Sequence, residues 1–259
     1  MDGVSIVDLN EGNMLNYGIC GYKDIRREGY TEKIAWMKQR FAEGMKIKML
    51  VSERDGAQGM IEYIPGAQAW RPVAADGHLF IHCIFVGFRK AYKGKGYGSR
   101  LLDECLKDAR EAGFSGVSVV TRKGSFMAGR ELFIQNGFET ADTAAPDFEL
   151  LVCRLTNSAP APRFRGDWDE RRKAFGRGLT IIRSDQCPYT VKNVKEICET
   201  AEKEFGLRPR VVSLKSAEEA QNSPCAFGTF CILYDGRPIA EHPISGTRFR
   251  NILHSIRSA

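Results

Sequence analysis

Short apolar runs alternate with amphipathic stretches along the first 155 residues. The apolar runs predict six strands, at 4–8, 46–53, 57–64, 79–88, 116–121 and 148–155. The amphipathic stretches predict helices near 11–18, 31–43, 96–112 and 126–136. Asp55 and Gly56 form a hairpin signal between the second and third strands, so these strands should be antiparallel neighbours. The pattern predicts an α/β (α+β) domain with a mixed sheet.

The apolar periodicity stops at residues 156–178, where proline, small and charged residues take over. After this stretch the order of predicted elements is βαβαββα, with strands at 179–184 and 208–215 and a second Asp-Gly hairpin within 229–242. Helices are predicted at 188–205 and from 246 onward. We therefore predict two domains, 1–156 and 179–259, joined by a linker at 157–178.

Composition narrows the class of protein. The chain has 259 residues, 43% hydrophobic and 27% charged, and a net charge of +6, which is too mild to indicate nucleic acid binding. No apolar run approaches a membrane span and no basic-then-apolar leader is present, so we expect a cytoplasmic protein with no membrane partner. Eight scattered cysteines without metal-ligand spacing predict reduced thiols and no metal site.

A glycine-rich stretch, YKGKGYGSRLL at 92–102, lies where an apolar strand gives way to a helix. Successive backbone N–H groups at a helix N-terminus can bind a phosphate. The pattern Lys93-Gly94-Lys95-Gly96-Tyr97-Gly98 resembles the acetyl-CoA-binding loop of the GNAT N-acetyltransferases, although Lys93 stands where Arg or Gln is usual. The later block GRELFIQNGFETAD at 129–142 resembles the late helix and strand of the same family.

The resemblance implies a GNAT fold with a splayed, mostly antiparallel sheet and acetyl-CoA as cosubstrate. It places the pantetheine arm along the fourth strand, at Ile84, Phe85, Val86 and Phe88. The pyrophosphate would bind the loop that follows. The loop residues implied in cofactor binding are Lys93, Gly94, Lys95, Gly96, Tyr97, Gly98 and Ser99.

Direct attack of an amine on the thioester needs a base, for which Glu62, Tyr63 and His82 are candidates. A residue such as Glu62 is more often a solvent-facing strand residue, and one such as His82 is more often a hydrogen-bonded core residue. Strand alternation places Cys83 on the face opposite His82. The acid that the family supplies from a late-helix tyrosine is missing, because Phe133 occupies that position.

The second domain resembles a thioredoxin-like module, since CPYT at Cys187–Thr190 is similar to the CPYC of glutaredoxins. Cys187 at a helix start is a candidate reactive thiol. Thr190 excludes a dithiol mechanism, Cys225 is a conceivable resolving partner, and Gly228 stands where a cis-proline is usual. The alternative is a module retained for packing or substrate binding.

The two-part architecture resembles that of bacterial YoaP-like acetyltransferases, whose segments are similar to GAQGMIEYIPG, IHCIFVGF and TRKGSFMAG here. We expect an N-acetyltransferase that acts on an amine of a small molecule or peptide, and Cys20, Trp70 and Arg71 are further candidates for contact with that acceptor. The alternatives are a non-catalytic acyl-CoA-binding or thiol-sensing protein and a monothiol redox protein. The oligomeric state is left open.

Overall fold

The computed structural model of the chain describes residues 3–20, 22, 24–87, 89–157 and 160–258. The chain divides into two compact units, and neither is continuous in sequence. The first unit comprises Met1–Ile25, Met37–Ala69 and Val73–Phe164, and the second comprises Arg26–Trp36, Trp70–Pro72 and Arg165–Ala259. The continuous domains inferred from composition stay a prediction.

A seven-stranded sheet forms the centre of the first unit, in the order β1-β2-β3-β5-β6-β8-β7. Its strands are β1 (Val4–Leu9), β2 (Lys46–Ser52), β3 (Gly56–Pro65), β5 (His78–Val86), β6 (Gly116–Thr121), β7 (Glu139–Ala144) and β8 (Phe148–Arg154). A short strand β4 (Val73–Ala74) pairs with β9 (Arg163–Phe164) beside this sheet. The helices are α1 (Met14–Tyr17), α2 (Tyr30–Ala42), α3 (Tyr97–Glu111) and α4 (Arg130–Ile134), and α2 is divided between the two units.

The large sheet is mixed, as the sequence predicts. The Asp-Gly turn joins β2 and β3 as antiparallel neighbours, which confirms the hairpin. Among the described residues, β5 and β6 form the one parallel pair of this sheet. The edge strand β7 carries mostly polar residues, so its hydrophobic pattern did not predict a strand, whereas the family resemblance did.

Helix α3 packs against one face of the sheet. Its buried apolar residues recur at three- and four-residue spacing, which forms a single stripe: Leu101, Leu102, Cys105, Leu106 and Ala109. This stripe contacts Ile61, Ile81 and Ile84 in one apolar cluster. Each leucine of the stripe contributes about 1.5–3 kcal/mol when fully buried, so α3 is firmly held on this face.

The late helix is shorter than predicted. It covers Arg130–Ile134 rather than 126–136. Phe126 has a φ of 67° and Gly124 a φ of 137°, both outside the helical region, and Gly129 is extended. The backbone therefore forms a loop between β6 and α4, and only one turn of regular helix follows it.

The second unit has its own four-stranded sheet, in the order β11-β10-β12-β13. Its strands are β10 (Leu179–Arg183), β11 (Arg210–Ser213), β12 (Phe230–Tyr234) and β13 (Arg237–Ala240), with β10 parallel to β11 and antiparallel to β12. Its helices are α5 (Trp168–Lys173), α6 (Tyr189–Phe205), α7 (Ala217–Gln221) and α8 (Gly246–Arg257). The predicted element order βαβαββα from residue 179 is observed. Strand β9 and helix α5 lie within the stretch interpreted as a linker.

The segment Trp70–Pro72 belongs to the second unit and is buried there. The Arg71 guanidinium donates to the carbonyl of Trp70, to Gln186 Oε1 and to Thr229 Oγ1, at 3.1, 3.1 and 2.6 Å. Gly228 packs directly on this segment, and a Cβ there would lie 2.8 Å from Pro72 and 3.0 Å from Arg71. Trp70 and Arg71 are thus structural residues, and the expectation that they contact the acceptor is wrong.

Two further properties concern the whole described chain. The eight cysteines, all of which lie among the described residues, are thiols and not halves of disulfides. None of the helices in the described part of the chain combines the length and apolar character that a membrane span requires.

Candidate functional site

The strands β5 and β6 separate partway along the first unit's sheet. Their pairing runs from His78↔Gly116 to Ile81↔Val119, and in the described chain it goes no further. Strand β5 continues to Val86 paired with β3, and β6 continues to Thr121 paired with β8. A wedge-shaped gap therefore opens in the sheet, and an extended ligand could lie between the two strands.

The glycine-rich loop follows β5 and leads into α3. Gly94 and Gly96 have φ of 68° and 74°, a left-handed conformation that side chains disfavour, and Gly96 caps the helix. A Cβ at either position would meet no atom within 4 Å, so the space above the loop is open. The N–H groups of a helix's first turn point into such a space with the positive end of the helix dipole.

The predicted cofactor residues fall into distinct groups. Lys93 and Lys95 are exposed on the loop. Tyr97 is buried in the core cluster, so only its backbone is available to a ligand. Val86 packs partly against that cluster, whereas Phe85 lines a cavity on the other face. Phe88 lies outside the described residues.

The β2–β3 hairpin fixes the start of the loop. Tyr92 Oη lies 2.7 Å from both Ser52 Oγ and Asp55 Oδ2. Arg89 donates to Asp55 Oδ1 at 2.6 Å. The loop is therefore tied to a rigid element next to the end of β5, which is the arrangement that a preorganised anion site needs.

Residues of α4 and the turn after it support the start of α3. Leu132 packs on Gly98, where a Cβ would lie only 3.1 Å from it. Asn136 Nδ2 donates to Ser99 Oγ at 3.0 Å and to the Leu132 carbonyl at 2.6 Å. Phe133 is fully buried, with its ring 5.5 Å from that of Phe138. It offers no proton, so α4 serves here as a support for the glycine loop.

Two of the candidate bases lie side by side. Glu62 Oε1 is 3.4 Å from His82 Nδ1, and at most 1% of either side chain is exposed. The register between β3 and β5 passes from Glu62↔Cys83 to Tyr63↔Ile81, so His82 is the extra residue of a β-bulge. This bulge turns the imidazole toward Glu62.

The bulge also changes the position of Cys83. Ile81 and Ile84 both belong to the cluster under α3, which strict alternation would forbid. His82 and Cys83 consequently share the opposite face with Glu62, because directly paired residues project to the same side. The expectation that Cys83 faces away from His82 is wrong, since it assumed an unbroken alternation.

Tyr63 lies on the α3 face, away from the other two candidates. Its hydroxyl donates to Asp108 Oδ2 at 2.7 Å, and Asp108 also accepts from Lys46 at 2.9 Å. Burial, reinforced by the Asp108 hydrogen bond, raises the pKa of Tyr63 far above its usual range. A hydroxyl that holds its proton so firmly is a structural donor, so Glu62 and His82 remain the candidate bases.

A cavity of about 140 Å³ opens on the Glu62 face of the sheet. The loop after α1 and strands β2, β3 and β5 form its walls, among them Cys20, Met49, Met60 and Phe85. Met60 lies two residues before Glu62 on β3, so the cavity and the Glu62–His82 pair share one face. Cys20, proposed from its sequence position, does line this space.

The candidate thiol Cys187 lies in the second unit, and only Pro188 separates it from the first residue of α6. It is half-buried, and the hydroxyl of the buried Thr190 lies 2.7 Å from its carbonyl oxygen. Cys225 is fully buried, and its thiol donates a hydrogen bond to the Phe230 carbonyl. Thr190 thus occupies the position of the second motif cysteine and donates a hydrogen bond to the backbone there. The reactivity of Cys187 stays a prediction.

Sequence reasoning missed three residues that the structure brings into play. Gln58 lines the cavity, Asn136 supports Ser99, and Asp108 binds Tyr63. Gln58 sits in an ordinary strand pattern and Asp108 in an ordinary helix pattern. Nothing in the local pattern distinguishes these residues, because each acquires its role from a partner distant in sequence.

Comparison with known proteins agrees with this geometry. Residues 18–138 match the family described as "Acetyltransferase (GNAT) family", and residues 210–251 match the family described as "YoaP-like". The uncharacterized N-acetyltransferase YoaP of Bacillus subtilis is 30% identical over 254 residues, which cover 96% of this chain and 98% of that protein.

Solved structures of lower sequence identity are also similar to this chain. An acetyltransferase of the GNAT family from Staphylococcus aureus is 15% identical over 59% of this chain and 99% of its own, with a TM-score of 0.45. The PaiA N-acetyltransferase of Thermoplasma acidophilum, solved with coenzyme A, is 15% identical over the same shares, with a TM-score of 0.42. From the full-length similarity to YoaP, this chain belongs to the YoaP-like acetyltransferases, in which a GNAT domain is accompanied by a YoaP-like segment.

Proposed function

We propose that the protein is an N-acetyltransferase that moves the acetyl group of acetyl-CoA to an amine of a small molecule or peptide by direct attack. The observation that carries this proposal is the gap between β5 and β6, which ends beside an open, glycine-lined helix start. A thioester arm fits the gap and a pyrophosphate fits the helix start.

Acetyl-CoA is the cosubstrate, and the loop binds its pyrophosphate through backbone N–H groups. The left-handed Gly94 and Gly96 turn successive N–H groups to one side. Lys93 and Lys95 add positive charge from exposed positions. The pantetheine arm lies along Ile84, Phe85 and Val86 of β5, in the gap that β6 leaves.

Glu62 and His82 act together as the base. The Glu62 carboxylate, with Oε1 3.4 Å from Nδ1 of His82, favours a proton on Nδ1 and leaves Nε2 as the basic nitrogen. The amine's proton passes to this nitrogen directly or through one water. The thiolate of CoA leaves without an acid from α4, since Phe133 has no proton to give, and water protonates it.

The second unit is a thioredoxin-like module that serves packing rather than thiol chemistry. Support comes from its element order and from its sheet, in which β10 lies between the parallel β11 and the antiparallel β12. Thr190 replaces the second cysteine of a CxxC motif, so a CxxC disulfide cannot form at Cys187. The other cysteine considered for exchange, Cys225, is fully buried.

The test is the release of CoA thiol from acetyl-CoA across a panel of amines, amino acids and peptides, with calorimetric CoA binding alongside. We expect acceptor-dependent release, a fall of about 10²–10⁴-fold in kcat for His82→Gln, and CoA affinity unchanged. The exposed His254→Gln is the matched control. Cys187→Ala should retain full release.

Two results would contradict the proposal. CoA binding without release to any acceptor favours the acyl-CoA-binding alternative. Release that survives His82→Gln but is abolished by Cys187→Ala places the chemistry at the thiol.

A further inference from the structure

Three sulfur-bearing side chains line the cavity on the Glu62 face of the sheet. Met49 and Met60 lie directly opposite each other on β2 and β3. Cys20 lines the cavity from the loop after α1, and its Sγ lies 4.0 Å from Sδ of Met60. One thiol and two thioethers are thus brought to the same cavity from three segments of the chain.

The backbone presents Cys20 to β3 in a strained conformation. Ile19 and Tyr22 exchange backbone hydrogen bonds of 2.8 and 2.7 Å, which closes a tight turn with Cys20 at its first central position. Cys20 has a φ of 48°, in the left-handed region that glycine or asparagine adopts more easily. Strain of this kind persists where the surroundings fix it, and it clusters at functional sites. The turn therefore holds the thiol against Met60.

The separation of the two sulfur atoms suits a shared metal ion. The Cys20 thiol donates to the Met60 thioether, so an electron pair of Met60 faces Cys20. Bonds from a first-row d¹⁰ ion to sulfur are about 2.3 Å, and two such bonds to sulfurs about 4 Å apart enclose an angle of about 120°. This is the angle of trigonal coordination. Met49 is placed on the same wall to supply the third sulfur from a flexible side chain.

The donors at the cavity select a soft ion. Mg²⁺ and Ca²⁺ need oxygen ligands, but the Asp55 carboxylate at the cavity is engaged by Arg89 at 2.6 Å and by Tyr92 at 2.7 Å. A thiolate together with thioethers suits Cu(I). The thiolate and Cu(I) form a neutral unit, which the apolar walls at Ala57 and Phe85 accept without a further counter-ion.

An ion can reach these sulfurs from solvent. Cys20 is half-buried, whereas Met49 and Met60 are buried. Arg89 also lines the cavity and exposes 61% of its side chain, so the cavity reaches the surface. The charge of Arg89 is paired with that of Asp55 and does not exclude a cation.

We propose that Cys20, Met60 and Met49 form a binding site for Cu(I). The S–H bond of Cys20 breaks and a Cu–S bond forms, while the proton passes to solvent and the thioethers donate electron pairs. Copper keeps its oxidation state, so no oxidant or reductant takes part. Among the described residues that line the cavity, none belongs to the glycine loop or to the Glu62–His82 pair, and the inference does not depend on the transferase function.

The test is competition for Cu(I) between the full-length protein and bicinchoninate, a coloured Cu(I) chelator, under ascorbate and without oxygen. The unaltered protein should withdraw one ion per chain. Cys20→Ser and Met60→Leu should each weaken the affinity at least about tenfold, because each removes a sulfur ligand. The controls are Cys198→Ser, at a half-buried cysteine, and Met45→Leu, at a buried methionine. Neither residue lines the cavity, so both variants should bind as the unaltered protein does.

Alkylation of the unaltered protein gives a second measurement that needs no variant. One equivalent of Cu(I) should slow the reaction of Cys20 with iodoacetamide at least about tenfold, measured by peptide mass, and should leave Cys198 unprotected. The inference is overturned if bicinchoninate retains the ion, if both cavity variants keep full affinity, or if Cu(I) protects other cysteines but not Cys20. None of these measurements uses acetyl transfer, so failure of the transferase assay and failure of this site are separate results.

Discussion

Replacing Arg71 with methionine should destabilise the second unit selectively. Arg71 is 4% exposed. Its guanidinium donates to three acceptors and lies 4.7 Å from the centre of the Phe227 ring. Methionine keeps most of the aliphatic stem but removes every donor. The variant therefore isolates the polar contribution of the segment Trp70–Pro72, which lies far from residue 165 in sequence.

The expected loss follows from these contacts. Each buried acceptor left unpaired costs about 1–3 kcal/mol, and a desolvated cation–π contact contributes about 2 kcal/mol. Relief of the desolvation of the guanidinium offsets part of this sum. We expect the free energy of unfolding of the second unit to fall by about 3–5 kcal/mol, in the range for removal of one partner from a buried charged network.

Tryptophan fluorescence is the assay, because Trp36, Trp70 and Trp168 all belong to the second unit. In a urea titration the midpoint should move down by about 1–5 M, since the expected loss of about 3–5 kcal/mol is divided by a slope of about 1–3 kcal/mol/M. Arg208→Met, at an exposed position of the same unit, is the matched control. If both variants unfold at the same urea concentration, the packing role of Arg71 is refuted.

Two further predictions concern the first unit. Gly96→Val should weaken CoA binding at least tenfold, because a branched residue is strained at a φ of 74° and covers the open helix start. The control Gly113→Val is strained equally at the other end of α3 and should leave the calorimetric Kd for CoA unchanged. An equal loss of affinity in both variants would contradict the loop assignment. Burial opposes ionisation of Asp108, but hydrogen bonds from Lys46 and Tyr63 outweigh this effect and lower the pKa of the Asp108 carboxyl. The stabilisation of the fold by the Asp108 carboxylate is therefore present above about pH 4 and is lost as pH falls through the lowered pKa. Asp108→Asn should lower Tm at pH 7 and flatten its decline in acid, and parallel Tm curves for variant and wild type would argue against this role.

The order and type of most elements follow from local sequence. Apolar runs, helical stripes and the two Asp-Gly turns place β2, β3 and α3 within a few residues of their observed bounds. The sequence also predicts the glycine loop, because the left-handed backbone that precedes the helix requires glycine at positions 94 and 96. These features depend on interactions between residues close together in the chain.

Which side chains lie together in the site depends on the tertiary structure. His82 and Gln58 each occupy a β-bulge, and a bulge exists only relative to the register of a neighbouring strand. Alternation along one strand cannot reveal a bulge, so it predicts the wrong face for Cys83 and does not distinguish Gln58 from its neighbours. The assignment of Trp70–Pro72 to the second unit has the same origin, since Arg71 finds its acceptors on Gln186 and Thr229. The sequence by itself determined the elements and the phosphate-binding loop, whereas pairing between distant segments decided which side chains meet, because contact energies between them appear only once the chain has folded.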